Sequence, residues 1–149
     1  MSAFGIPIAL GQIAIVPARA SKRDVLGMLV DVVAKNPAVP DRESLWTAVL
    51  ERESVSSTGI GNGIAIPHVR LKGVEKATLA VGVAPAGIDF AALDNKLVHV
   101  IVFFAMPEGA DKEYLGLLAR VMLALRNKEI FDRLVACKTA EDVHALLND

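Results

Sequence analysis

Chemistry in this chain concentrates at Ser57-Thr58-Gly59-Ile60-Gly61-Asn62-Gly63-Ile64-Ala65-Ile66-Pro67-His68, where a glycine-punctuated loop runs into a short apolar strand ending on Pro-His. Proline locks its own φ and biases Ile66 toward extended backbone, so His68 sits at the end of a stiff element with its ring directed. Histidine alone has an unperturbed pKa that leaves a neutral nitrogen nucleophile near physiological pH. Beside flexible backbone N–H donors, such a nucleophile suits a covalent anionic adduct, phosphate above all. Gly59, Gly61 and Gly63 permit positive φ and close backbone approach. Their spacing imitates part of a dinucleotide fingerprint, but they follow a helix rather than a strand and the third glycine is misplaced. That context rules out a Rossmann reading, and no Walker A pattern occurs.

The elements that must position His68 follow from the apolar spacing. Residues 8–16 form an opening strand carrying Ile13, Ile15 and Val16. Ser21 offers an N-cap for a helix to about Lys35, with Asp24 in the first turn and Val25, Leu26, Leu29, Val32 and Val33 on the buried face. Asn36-Pro37 and Val39-Pro40 end it. Asp41 caps a second helix through about Arg52 that buries Leu45, Val49 and Leu50. After the glycine loop, Ile64 to Pro67, 77–84 and 97–105 read as strands, with Pro85-Ala86-Gly87 as the turn between the last two. One helix spans about 111–126, another begins near Lys128, and Thr139-Ala140-Glu141-Asp142 resembles a capping box opening the last. Strand, two helices, three strands, three helices predicts an α/β fold, a mixed sheet between helical layers.

Length and composition set the bounds. A chain of 149 residues fits a single domain, 1–149, able to bury its own core. A formal charge of −1 leaves no electrostatic footprint for nucleic acid. At 53% hydrophobic the chain is apolar, yet its longest candidate span, Leu97 to Met106, is interrupted by His99 and reads as a buried strand rather than a membrane insertion. Met1 to Ala20 loosely imitates a secretory signal, but it lacks a basic start and is broken by Gly11 and Gln12. The single cysteine, Cys137, forms no intramolecular disulfide and fits a reducing, cytoplasmic setting. Three scattered histidines without paired ligand spacing argue against a metal site.

Ser-Thr-Gly-Ile-Gly-Asn-Gly-Ile-Ala-Ile-Pro-His resembles the active-site segment of the fructose/mannitol-type EIIA domains of the bacterial phosphotransferase system, which include the nitrogen-related EIIA regulators. The family's element order matches the one above along essentially the whole chain. The resemblance implies that His68 accepts a phosphoryl group on its ε2 nitrogen from the phosphocarrier HPr. It then passes the group to an EIIB domain, or its phosphorylation state acts on a regulatory target. It also implies that Arg52 lies beside the phosphate, where a guanidinium fork binds oxygens bidentately and stays charged. Alternatively, Arg52 pairs with Glu51 or Glu53. The donor being a protein, no metal or nucleotide cofactor is required.

Other residues have weaker claims on the site. Thr58 is the loop hydroxyl best placed to bond the phosphate or orient the ring, though such residues often satisfy loop backbone instead. Tyr114 stands where many family members carry a second histidine. It can donate a hydrogen bond but cannot become a cation at neutral pH. Arg70 departs from the small residues common after the histidine and assists the phosphate, assists a partner, or lies on the surface. His99 reads as a core or sheet-end histidine and His144 as surface. Loop N–H groups would join Arg52 on the phosphoryl oxygens, while Ile60, Ile64, Ile66, Val69 and Leu71 are candidates for an apolar docking rim. The competing reading is a protein-interaction module that keeps the fold without being phosphorylated. A hydrolase lacks a nucleophile elbow and a carboxylate to orient His68.

Overall fold

Apolar residues run without interruption from Val100 to Met106, and alternate members of that run face opposite ways. Ile101, Phe103 and Ala105 belong to one buried cluster and Val100, Val102, Phe104 and Met106 to another, the period of two expected of a strand covered on both faces. The computed structural model describes residues 2–39 and 41–149. Its elements in chain order are β1 (Ile13–Ile15), α1 (Lys22–Ala34), α2 (Arg42–Val55), β2 (Gly59–Gly61), β3 (Ile64–Ala65), β4 (His68–Leu71), β5 (Thr78–Ile88), β6 (Val98–Pro107), α3 (Asp111–Arg126), α4 (Lys128–Ala136) and α5 (Ala140–Asn148). The sheet is mixed, in the order β1-β5-β6-β3-β2, with β4 also paired to β6. Helices α1 and α2 pack in the first cluster and α3, α4 and α5 in the second, which gives the three-layer α/β/α arrangement expected.

The caps behave as their residue types predict. Ser21 and Asp24 bond each other's backbone N–H reciprocally, both at 3.0 Å, at the start of α1. Asp41 opens α2 and Thr139 opens α5. Lys35 is the C-cap of α1, while Pro40, expected with Val39 to close that helix, lies outside the described residues.

The strands differ more from expectation. Residues 8–16 yield only a three-residue strand, preceded by a 3₁₀ turn at Leu10–Gln12. Gln12 drives this: its side chain accepts from the Ala9 N–H at 2.8 Å and donates to the Leu79 carbonyl at 2.9 Å, a local alternative to strand pairing. Pro85-Ala86-Gly87 is no turn between strands. β5 continues through it to Ile88, and the register shift between Val83 and Ile88 absorbs it as a bulge. Leu50 is only half-buried.

The glycine loop is itself structured. Gly59–Gly61 and Ile64–Ala65 pair as a hairpin, turning through Gly61, Asn62 and Gly63 with φ of 101°, 57° and 80°. β3 and β4 then run parallel to β6 in one constant register: Ile64 faces Val100, Ala65 faces Ile101 and His68 faces Phe104. They form one strand interrupted at Ile66-Pro67; β2 flanks it only along β3, so the proline, which lacks an N–H, falls where no further strand among the described residues pairs on the outer side. His68 therefore opens β4 instead of ending the strand before it.

Gly59 shows how tightly the hairpin is seated. Its carbonyl accepts from the Leu93 N–H at 2.9 Å, and a Cβ placed on it would lie 2.9 Å from the Cα and Cβ of Ala92. Backbone cannot swing aside as a side chain does. Gly59→Ala is expected to cost about 1–3 kcal/mol, read as a lower urea midpoint; an unchanged midpoint would mean that residues 91–93 shift freely.

Candidate functional site

On β4, Val69 is buried in the cluster under α1 and α2. Its neighbours His68 and Arg70 therefore project from the opposite face, toward α3. There the His68 ring stacks on Tyr114, centroids 5.2 Å apart and planes 27° apart. Tyr114 stands edge-on to the fully buried Phe104 at 5.5 Å, so the platform beneath the histidine is anchored in the core.

The second restraint on His68 is a hydrogen bond of 2.9 Å between Nδ1 and the Ile66 carbonyl. A carbonyl only accepts, so Nδ1 carries the proton and Nε2 keeps the lone pair of a neutral imidazole. Ile66 is held in turn, its N–H donating to the Thr58 carbonyl at 3.0 Å. The Pro-His arrangement thus works through the residue before the proline, whose carbonyl fixes both tautomer and ring.

Partial burial lowers the His68 pKa from its ordinary 6.5, and the Arg52 and Arg70 guanidiniums push the same way. The Ile66 bond and Glu53 oppose them. Because the folded value is depressed, the ring is unprotonated at neutral pH. Its contribution to stability is present above 6.5 and lost as pH falls through the folded value. In an NMR titration the His68 ring is expected to protonate below 6.5, and Arg70→Ala to raise the midpoint by removing a repelling cation. A midpoint at or above 6.5 in the unaltered protein contradicts this account.

Arg52 occupies the last turn of α2, where the helix dipole favours a cation. It pairs with neither Glu51 nor Glu53; its Nη1 donates to the Ser56 carbonyl at 3.0 Å, just beyond the helix. That bond uses one edge of the guanidinium. His68, Arg52 and Arg70 line a common open groove of about 500 Å³, together with Ala48, Glu51, Val55, Val69 and Leu71. Arg70 also pairs with Asp111, the first residue of α3.

Thr58 is placed differently. It is buried, and its hydroxyl and N–H both donate to the Glu53 carboxylate. Glu53 is further paired with Lys22 at 2.7 Å, and Ser57 bridges the Phe90 carbonyl and the Gly59 N–H. Thr58 therefore supports the loop and, through its carbonyl, Ile66. Four of the loop N–H groups expected to face an anion are also committed: Thr58 to Glu53, Gly59 to Ser57, Asn62 to Asp94 and Ile66 to Thr58. The hairpin tip faces a separate cavity bordered by α3 and α4.

His99 is tied through Nδ1 to the Ala84 carbonyl at 3.0 Å. It stands five residues along β6 from Phe104, the partner of His68, about 17 Å at the rise of a strand. His144 is half-buried on α5. Of the expected rim, Ile64 and Val69 are core residues, whereas Val55, which was not expected, is 81% exposed in the groove. Lys22–Glu53 and Arg70–Asp111 also escaped sequence reasoning, since each joins residues far apart in the chain. The acidic start of α3 is the one local hint of the latter.

Comparison with known proteins places the chain in a family. Residues 9–149 match the family described as phosphoenolpyruvate-dependent sugar phosphotransferase system, EIIA 2. The chain is 36% identical over 129 residues to a nitrogen regulatory protein of Pseudomonas aeruginosa, covering 87% of this chain and 84% of that one. It is 30% identical over 128 residues to a PTS system fructose-specific EIIA component of Haloferax volcanii, covering 86% and 83%. The solved nitrogen regulatory protein IIA-Ntr from Neisseria meningitidis superposes with a TM-score of 0.82 at 29% identity, over 94% of this chain and 95% of that one. The mixed sheet, the helix layers and these matches agree: the chain belongs to the EIIA 2 family of the phosphotransferase system and has the phosphoryl-relay role of a sugar EIIA component or nitrogen-related regulator.

Proposed function

We propose that His68 is the phosphoacceptor, that an HPr-type carrier is the donor, and that the phosphoryl group passes on to an EIIB domain or governs binding to a regulatory target. The observation that carries this reading is the His68 Nδ1 bond to the Ile66 carbonyl, which leaves Nε2 unprotonated in a groove shared with two arginines. In the transfer, the lone pair of Nε2 forms the new N–P bond while the donor histidine's N–P bond breaks and its electrons return to that ring. The proton stays on Nδ1, donated to the Ile66 carbonyl throughout, so no acid or base is needed.

Phosphoryl transfer of this kind passes through a loose transition state, and catalysis is chiefly positioning and charge stabilisation. Stacking on Tyr114 and the Ile66 bond fix the direction of attack. Arg52 turns its free edge to the equatorial oxygens. Val55 in the groove and Leu115, 61% exposed beside Tyr114, supply apolar rim for a transient partner. Among the described residues no helix is long and apolar enough to cross a membrane; the setting proposed is cytoplasmic, where such carriers work. The whole of 1–149 is read as one domain.

The test is to mix the protein with phosphoenolpyruvate, enzyme I and HPr. One acid-labile, alkali-stable phosphoryl group per chain is expected. No uptake from a competent donor set would overturn the reading.

A further inference from the structure

Arg70 departs from what the resemblance implies, and its surroundings give it a role. His68 and Arg70 are alternate residues of β4, so their side chains leave the same face about 6.5 Å apart along the strand. Both border the same groove. The charge of Arg70 bears on His68 and on Tyr114 alike: it opposes protonation of the imidazole, and it opposes the upward push that burial gives the phenol. The guanidinium thus stands near both rings. Tyr114 is neutral, so the cation facing the reacting ring from the α3 side is Arg70.

Arg70 is also restrained. It pairs with Asp111, and both side chains are well exposed, 50% and 65%. An exposed pair of this kind is weak and exchangeable. A phosphoryl group on Nε2 would bring about two negative charges and three strong acceptor oxygens to the same face, which outcompete one solvated carboxylate. We propose that Arg70 is a second phosphoryl ligand, held by Asp111 while His68 is bare and exchanged onto the phosphoryl oxygens as transfer proceeds. It supplies from β4 the positive charge that Tyr114 cannot. Asp111, freed at the first turn of α3 beside Tyr114 and Leu115, then marks the phosphorylated state on the face that a partner meets.

The inference rests on His68 being the acceptor, and one experiment separates the two. The unaltered protein, Arg70→Ala, Arg70→Lys and Asp111→Asn are phosphorylated by phosphoenolpyruvate, enzyme I and HPr, and kcat and KM for phosphorylated HPr are measured. Loss of one charge-assisted bond that strengthens in the transition state should lower kcat about 10- to 100-fold in Arg70→Ala with KM little changed. Arg70→Lys should recover part of that. Asp111→Asn should transfer at least as fast as the unaltered protein, its competing carboxylate gone. In ¹⁵N spectra the Arg70 guanidinium resonance should move on phosphorylation of the unaltered protein. No label on the unaltered protein overturns the acceptor assignment and the clamp together. With that protein labelled, an Arg70→Ala rate equal to the unaltered one overturns the clamp alone. So does an Asp111→Asn loss as large as that of Arg70→Ala, which would make the ion pair a structural strut.

Discussion

His68→Gln is expected to take up no phosphoryl group from phosphorylated HPr while unfolding at nearly the same temperature as the unaltered protein. The glutamine amide N–H can take over the bond to the Ile66 carbonyl, and its stem can lie against Tyr114, so little packing is lost. What disappears is the unprotonated nitrogen, and an amide nitrogen is no nucleophile. Nothing nearby substitutes for it. His99 is directed to Ala84, about 17 Å along β6 from the partner of His68. The Cys137 thiol donates to the Arg133 carbonyl, and burial pushes its pKa up, away from the thiolate. His99 and His144 remain in the variant, so residual acid-labile label would report a second acceptor. Label at the level of the unaltered protein would remove His68 from the mechanism.

The legible parts of this protein are those whose cause is local. Ser21 with Asp24, Asp41 and Thr139 cap the helices they were expected to cap, because a cap is settled by a few neighbouring residues. Pro67 gave away His68 for the same reason. The glycine segment was not legible as a hairpin leading into a strand along β6, because isolated glycines favour neither. What makes strands there is β6, which offers a free edge in register from Val100 to Pro107, and tertiary pairing overrides propensity. Pro85-Ala86-Gly87 misled in the opposite direction: a strong turn signal was absorbed as a bulge by two long strands whose other pairs hold the register. At the site, Thr58 was placed by residue type, but its hydroxyl belongs to a chain running from Lys22 through Glu53, and no short window of sequence contains both ends. Tyr114 was recognised as a substitution, whereas its stacking on His68 depended on where α3 crosses the end of β4.

Arg52→Ala is expected to slow transfer to His68 by about 10²–10³-fold, the usual loss when one preorganised donor to developing charge is removed. The fold should tolerate it, because the Ser56 carbonyl that Arg52 satisfies lies at a solvent-exposed helix end where water can replace it. Arg52→Lys separates charge from shape. A lysine in the last turn of α2 still complements the helix dipole, but it is a point charge without a planar fork and cannot bond Ser56 and two phosphoryl oxygens in one fixed geometry. It should therefore recover only part of the rate. The two arginines should also be distinguishable from each other. Arg52 is aimed by a backbone carbonyl that does not change when the phosphoryl group arrives, whereas Arg70 must first leave Asp111. Added salt weakens an exposed ion pair and so should help Arg70 leave its carboxylate, while giving Arg52 no such advantage. The deficit of Arg52→Ala relative to the unaltered protein should then persist at high ionic strength, measured with phosphorylated HPr saturating so that docking is not limiting. Full activity in Arg52→Ala would assign the charge stabilisation to Arg70.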